Sequence, residues 1–132
     1  MKNLFIALML CLFASCQETA KPISEQVIGK WKVTLLDELK INEDSKTFLE
    51  FKEGGKVGGN NGCNNFFGTY ELKGTVIKFS LMGATKMLCH GESDMIEMKF
   101  SKSLGDATEI EFKDDMIILK SEGHLIHAKR FK

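Results

Sequence analysis

The chain has 132 residues, room for one small domain, and its 18 basic side chains balance 18 acidic ones. A zero net charge leaves no basic excess for nucleic acid and no acidic tail. With 43% apolar residues, a single proline and 27% charged residues, the sequence supports a modest core and does not read as disordered.

Residues 1–15 predict a signal peptide. MKNLFIALMLCLFASC opens with a lysine and runs apolar from Leu4 to Ala14, too short to span a bilayer comfortably. Its end, Leu12-Phe13-Ala14-Ser15-Cys16, resembles a bacterial lipobox with a bulky residue at Phe13. Cleavage there would leave Cys16 as the first, lipid-modified residue. The competing reading is an ordinary signal peptide cleaved near Cys16 with a free thiol; Cys11 follows Leu10, not a small residue, and is a poor lipid site. The expected location is the bacterial cell envelope, lipid-anchored at the outer membrane on its periplasmic or surface face. Disulfides persist there. With Cys11 removed and Cys16 acylated, Cys63 and Cys89 remain, and two thiols in an oxidising compartment more often pair than stay free.

Residues 16–26 read as the lipidated N-terminus and a polar tether without periodicity, with a reach on the order of 15–20 Å. The folded domain is expected over 27–132. KWKVTLL alternates, with Trp31, Val33 and Leu35 on one face, which predicts a half-buried strand. KTFLEFK puts Leu49 and Phe51 inward, Glu53-Gly54-Gly55 turns, and a short strand follows around Val57. Next comes the octet GGNNGCNN, residues 58–65, dense in turn formers around Cys63. FFGTYELK places Phe66, Tyr70 and Leu72 on one face; Lys73-Gly74 suits a hairpin loop, and TVIKFSL returns with Ile77, Phe79 and Leu81 inward.

The period then changes. Ile96, Phe100 and Leu104, with Met95 beside them, form a helical stripe; Glu92, Ser93 and Asp94 suit its start and Gly105 its C′ position. Three strands close the chain: TEIEFK, MIILKS, which is apolar on both faces and so central, and HLIHAKRF. The fold class is α+β: about eight short, mainly antiparallel strands, curled or cracked-barrel-like, with one helix between the fifth and sixth.

Gly62-Cys63-Asn64, an aromatic at Phe66 or Phe67, Gly68-Thr69-Tyr70, a strand pair, and then Thr85-Lys86-Met87-Leu88-Cys89 together resemble the META domain, the family of the heat-shock lipoprotein HslJ. Glu97, Phe100 and Leu104 are similar to the family's helix pattern, and Trp31 sits where its first strand often has tryptophan. The resemblance covers residues 27–131. It implies a small domain dominated by antiparallel strands, with no established enzymatic activity, in envelope or secreted proteins tied to stress or motility.

Cys63 admits three uses. The simplest is a disulfide with Cys89, which closes a loop of about 26 residues and stabilises by roughly 3–4 kcal/mol on the chain-entropy argument. A metal site would draw on Cys63, Cys89, His90, His124 and His127, but no zinc-like spacing is present, and His124 and His127 fall on opposite faces of a strand. A catalytic thiol would need His90 folded back as its base. The glycines and asparagines of 58–65 could form an anion-binding nest or simply tolerate positive φ and cap their own backbone. Gly29-Lys30-Trp31 also resembles the start of lipocalins, although a helix that interrupts the strands and a short mature chain argue against a roomy barrel. Met82, Met87, Met95, Met98 and Met116 read as core filler. The expectation is therefore a non-enzymatic binding or structural module linked to envelope stress, with no cofactor, metal or nucleic acid. Its partners would be the membrane, through the lipid, and an unknown envelope protein or small ligand. A lipocalin-like carrier of a small apolar ligand is the alternative.

Overall fold

The structure is a computed structural model that describes residues 19–131; the expected signal peptide and the expected lipid site at Cys16 lie outside the described residues. It contains a short helix α1 (Ile23–Gln26), then strands β1 (Gly29–Leu36), β2 (Leu39–Lys40), β3 (Phe48–Lys52), β4 (Lys56–Asn60), β5 (Asn65–Lys73) and β6 (Val76–Ala84). Helix α2 (Glu92–Asp106) follows, then β7 (Glu109–Lys113), β8 (Met116–Ser121) and β9 (His124–Arg130). Every pairing is antiparallel. Each ring strand pairs with the next, and β9 pairs back onto β1, so eight strands close a ring while the two-residue β2 hangs on β1. These eight are the strands expected from alternation, and α2 falls between the fifth and sixth of them.

The ring is cracked at one seam. β5 and β6 share a long ladder, but β6 and β7 meet at one residue pair, Val76 with Glu109. α2 packs across that opening. Its Ile96, Phe100 and Leu104 are buried, as their spacing predicts, and Phe66 of β5 meets Phe100 with ring centroids 5.4 Å apart. The rest of the interior is filled by Trp31, Leu36, Leu49, Phe51, Ile117 and Ile126, each essentially without solvent exposure. Each such side chain contributes about 1.5–3 kcal/mol by leaving water. This packed centre occupies the place where a lipocalin-like carrier would hold its ligand. Trp31 is core, and its indole N–H donates to the Val27 carbonyl at 2.8 Å.

Several details depart from the alternation pattern. In β1 the inward residues are Trp31, Val33 and Leu36, not Leu35, because the ladder with β9 shifts between Val33 and Leu35. Thr34 is the extra residue, held by the Ile41 amide on its carbonyl and by its own hydroxyl donating to the His127 carbonyl. A bulge of this kind reverses the alternation beyond it. A second shift lies in β6, where pairing passes from Phe67–Gly83 to Gly68–Leu81. Leu81, expected inward, is 40% exposed because it lies on the open seam.

Gly105 is not a helix-ending C′ residue. α2 continues to Asp106 and stops at Ala107, which is extended and buried as the chain enters β7. The hairpin loop between β5 and β6 is Gly74-Thr75, one residue later than Lys73-Gly74, because Lys73 pairs with Val76. The tether reading also shortens. α1 occupies Ile23–Gln26, Ile23 packs on the core, and the Arg130 guanidinium binds the carbonyls of Gln26 and Ile28. These anchors come from the far end of the chain, so local periodicity could not reveal them.

Candidate functional site

Only the centre of the octet is a loop. Gly58–Asn60 belongs to β4 and Asn65 opens β5, which leaves Asn61–Asn64 to turn the chain. The Asn61 amide donates to the Asn64 carbonyl at 2.9 Å. The side-chain oxygen of Asn61 accepts from the amides of Cys63 at 3.2 Å and Asn64 at 2.7 Å. The side-chain oxygen of Asn60 takes the Gly62 amide at 2.8 Å. The Asn65 amide donates to the Thr85 hydroxyl at 3.1 Å. The N–H groups that an anion would need are thus satisfied from within, so the loop caps itself through its own side chains.

Cys63 and Cys89 are joined by a disulfide, with Cα atoms 5.9 Å apart. The bridge ties the β4–β5 turn to the segment that leads into α2. Beside it Asn64, 2% exposed, acts as a hub. Its side-chain oxygen accepts the Met87 amide at 2.6 Å and the Thr85 hydroxyl at 3.0 Å. Its side-chain nitrogen donates to the Met87 carbonyl at 3.2 Å and to Glu97 of α2 at 3.0 Å. One amide side chain therefore pairs with both backbone groups of Met87, as a neighbouring strand would. Asn61 donates to the same Glu97 oxygen at 3.3 Å. Gly62 completes the knot. Its φ is +104°, and a Cβ there would lie 2.5 Å from the Ile96 side chain, so the turn and α2 touch at a point that admits only hydrogen.

The motif positions thus divide. Gly62, Cys63, Asn64, Thr85, Met87 and Cys89 converge on one knot, joined by Glu97. Gly68 and Tyr70 lie along β5. A Cβ on Gly68 would stand 2.4 Å from the Ser80 carbonyl oxygen, so this glycine lets β5 and β6 close up beside the β6 bulge. Tyr70 meets Phe51 edge to face at 4.9 Å, its hydroxyl reaches the Lys52 carbonyl at 3.4 Å, and burial pushes its pKa up. Met87 serves through its backbone, and its side chain is 60% exposed.

That exposure is part of a pattern. Leu88 is 91% exposed, and Met98, on α2 one residue after Glu97, is 68% exposed. A shallow groove lined by Ala84, Thr85, Met87, Leu88, Asp94 and Glu97 runs between the segment after β6 and α2. A neighbouring recess, lined in part by Leu81, Ala84, Phe66 and Phe100, continues it along the seam. Met87, Met95 and Met98 are therefore surface residues, not core filler.

His90 is exposed and outside the knot. His124 instead sits between two carboxylates, Asp37 at 3.3 Å and Asp106 at 3.8 Å. Burial would raise the Asp37 carboxyl, but the Leu125 amide and His124 outweigh it and hold it below its ordinary value. Among the described residues, no group of three His, Cys, Asp or Glu side chains is placed to hold a metal ion.

Fold and knot together define a small cracked β-barrel domain whose recognisable sequence positions are structural: a turn, a strand end and a helix pinned by one disulfide and one buried asparagine. The chain belongs to the META domain family, whose model matches residues 25–131. An NMR structure of a protein from Burkholderia xenovorans is 18% identical with a TM-score of 0.67, and the match covers 86% of this chain and 92% of that one. A second NMR structure is 16% identical with a TM-score of 0.68, over 81% and 93%. A crystal structure of a DUF4847 family protein from Bacteroides vulgatus is 17% identical with a TM-score of 0.59, over 80% and 94%. At these identities the likeness concerns the fold alone. Comparison with curated proteins gives no match.

Proposed function

We propose that the protein is a lipid-anchored protein of the bacterial envelope whose META domain is a non-enzymatic binding module linked to envelope stress. The lipobox-like sequence ending at Cys16 supports the anchor. The observation that carries the binding role is the exposure of Met87 and Leu88 along the groove, with Met98 also exposed on α2, beside the most tightly fixed part of the fold. Exposed apolar side chains on a rigid support suit a protein partner, because little ordering is needed on binding. The family's known members, as envelope and stress proteins, fit this reading.

Affinity capture of the mature protein from its own envelope, with mass spectrometry, tests it. Wild type should enrich a specific protein, and Leu88→Asp with Met98→Asp should lose it while keeping the thermal midpoint. Equal recovery by both would sink the proposal. Cys16→Ser should make the protein extractable from the membrane by high salt, which leaves the lipid-anchored wild type in place.

A further inference from the structure

The outer face of β1, β3, β4 and β9 carries a second surface. Trp31, Leu49, Phe51 and Val57 point inward, so the residues between them point out. Outward positions on these four strands include Lys30, Lys32, Lys52, Lys56 and Lys129, against one acid, Glu50. For a chain of zero net charge this is a concentrated positive face.

Aromatic rings share it. Phe48 pairs in register with Lys32, which is flanked on its other side by Lys129. The Lys30 ammonium lies 5.7 Å from the Phe48 ring centre, and Phe131 meets the same ring edge to face at 6.2 Å. Phe67, 58% exposed, stands on β5 opposite Gly58. Gly58 has no side chain, so a furrow lies between Phe48 and Phe67, with Lys52 and Lys56 along it. Phe131 is itself 47% exposed.

The chain also enters the fold at this face. The Phe131 amide donates to the Lys30 carbonyl at 3.0 Å, and Arg130 clamps the carbonyls of Gln26 and Ile28. Six residues, 17–22, separate Cys16 from α1, a reach on the order of 15 Å.

We propose that this face docks on an anionic phospholipid surface, the leaflet against which a lipid on Cys16 would hold it; that last part rests on the lipoprotein reading above. Three features select this occupant: five lysines against one acid, exposed aromatic rings beside them, and a short tether that keeps the domain near its anchor. Phe67 and Phe131 enter the boundary between headgroups and acyl chains, and the lysines stay at phosphate level, their stems lying along the rings.

The test uses the mature chain carrying Cys16→Ser, which holds every described residue and needs no acyl group. It is sedimented with vesicles of phosphatidylcholine, alone or with about one-third phosphatidylglycerol. Binding should require the anionic lipid and fall with salt. Each lysine near the surface is worth about fivefold in partitioning, so Lys52→Glu with Lys56→Glu should lower it more than tenfold. Phe67→Trp should give emission that shifts to the blue on anionic vesicles only. All three residues are exposed, so thermal midpoints should hold. Equal partitioning onto both vesicles, or no loss on charge reversal, overturns the proposal. The mass of the N-terminal peptide from native envelope tests the lipid on its own. An unmodified Cys16 with vesicle binding intact would refute the anchor and leave the face standing.

Discussion

Asn64 shows how much one side chain can hold. It joins the β4–β5 turn, the segment at Met87 and helix α2 through hydrogen bonds to Thr85, Met87 and Glu97. A buried amide that loses its partners costs more than the bonds are worth singly, because the groups left behind are also unpaired. Asn64→Ala should therefore lower stability by about 3 kcal/mol. Urea denaturation measures this; a loss below about 1 kcal/mol would show that the hub is dispensable. From sequence, this asparagine looked like its neighbours Asn60, Asn61 and Asn65. Its partners lie 21 to 33 residues away, so composition marked a turn and could not say which asparagine anchors it.

At the level of single elements, β1 offers the sharpest contrast. Alternation alone makes Leu35 a core residue, and the bulge at Thr34 gives that place to Leu36. Leu36→Ala should cost about 2–5 kcal/mol and Leu35→Ala less than about 1 kcal/mol. Equal costs would mean that the strand keeps its regular register. The bulge was illegible because its cause lies in pairing partners, β9 on one side and β2 on the other. β9 supplies a pH effect. His127 has its pKa lowered from 6.5 by burial and then by Lys113 and Lys120. The unfolded chain thus takes up this proton more readily, so His127 leaves stability intact above about pH 6.5 and erodes it as pH falls below that value. His127→Gln should flatten this part of the pH–stability curve. If the decline just below pH 6.5 is the same in both proteins, another group is responsible.

For the molecule as a whole, the disulfide spans 26 residues of sequence and joins the β4–β5 turn to the segment that leads into the helix covering the seam. Reduction should lower stability by about 3–4 kcal/mol, a large share of what a domain of this size holds. An unchanged thermal midpoint with reductant would contradict this. Most ring strands and α2 were readable because each has one wet and one dry face, which imposes period two or period 3.6 on the sequence; β8, buried at Ile117, Ile118 and Leu119, was readable as a short apolar run. The Cys63–Cys89 pair was readable from the cysteine count together with the compartment expected from residues 1–16. The closure of the ring was not, since pairing of the last strand with the first leaves no local trace. Nor were the exposed methionines. Methionine fills cores and surfaces alike, and only the position of the seam assigns Met87 and Met98 to the outside.

The turn has one chemical consequence. Asn61-Gly62 is the kind of dipeptide that ages fastest in a flexible chain, as the glycine nitrogen attacks the asparagine side chain and ammonia leaves. Here the Gly62 N–H is engaged by Asn60, and the Asn61 amide is fixed at its oxygen by two backbone groups and at its nitrogen by Glu97. The attack geometry is withheld for as long as the knot is tied. A copy held unfolded loses that shelter; water then opens the cyclic imide to aspartate or isoaspartate, and the new carboxylate would face Glu97 as a like charge when the chain tries to close. The knot thus protects the octet chemically as well as mechanically: the same hydrogen bonds that fix the turn keep its asparagine intact.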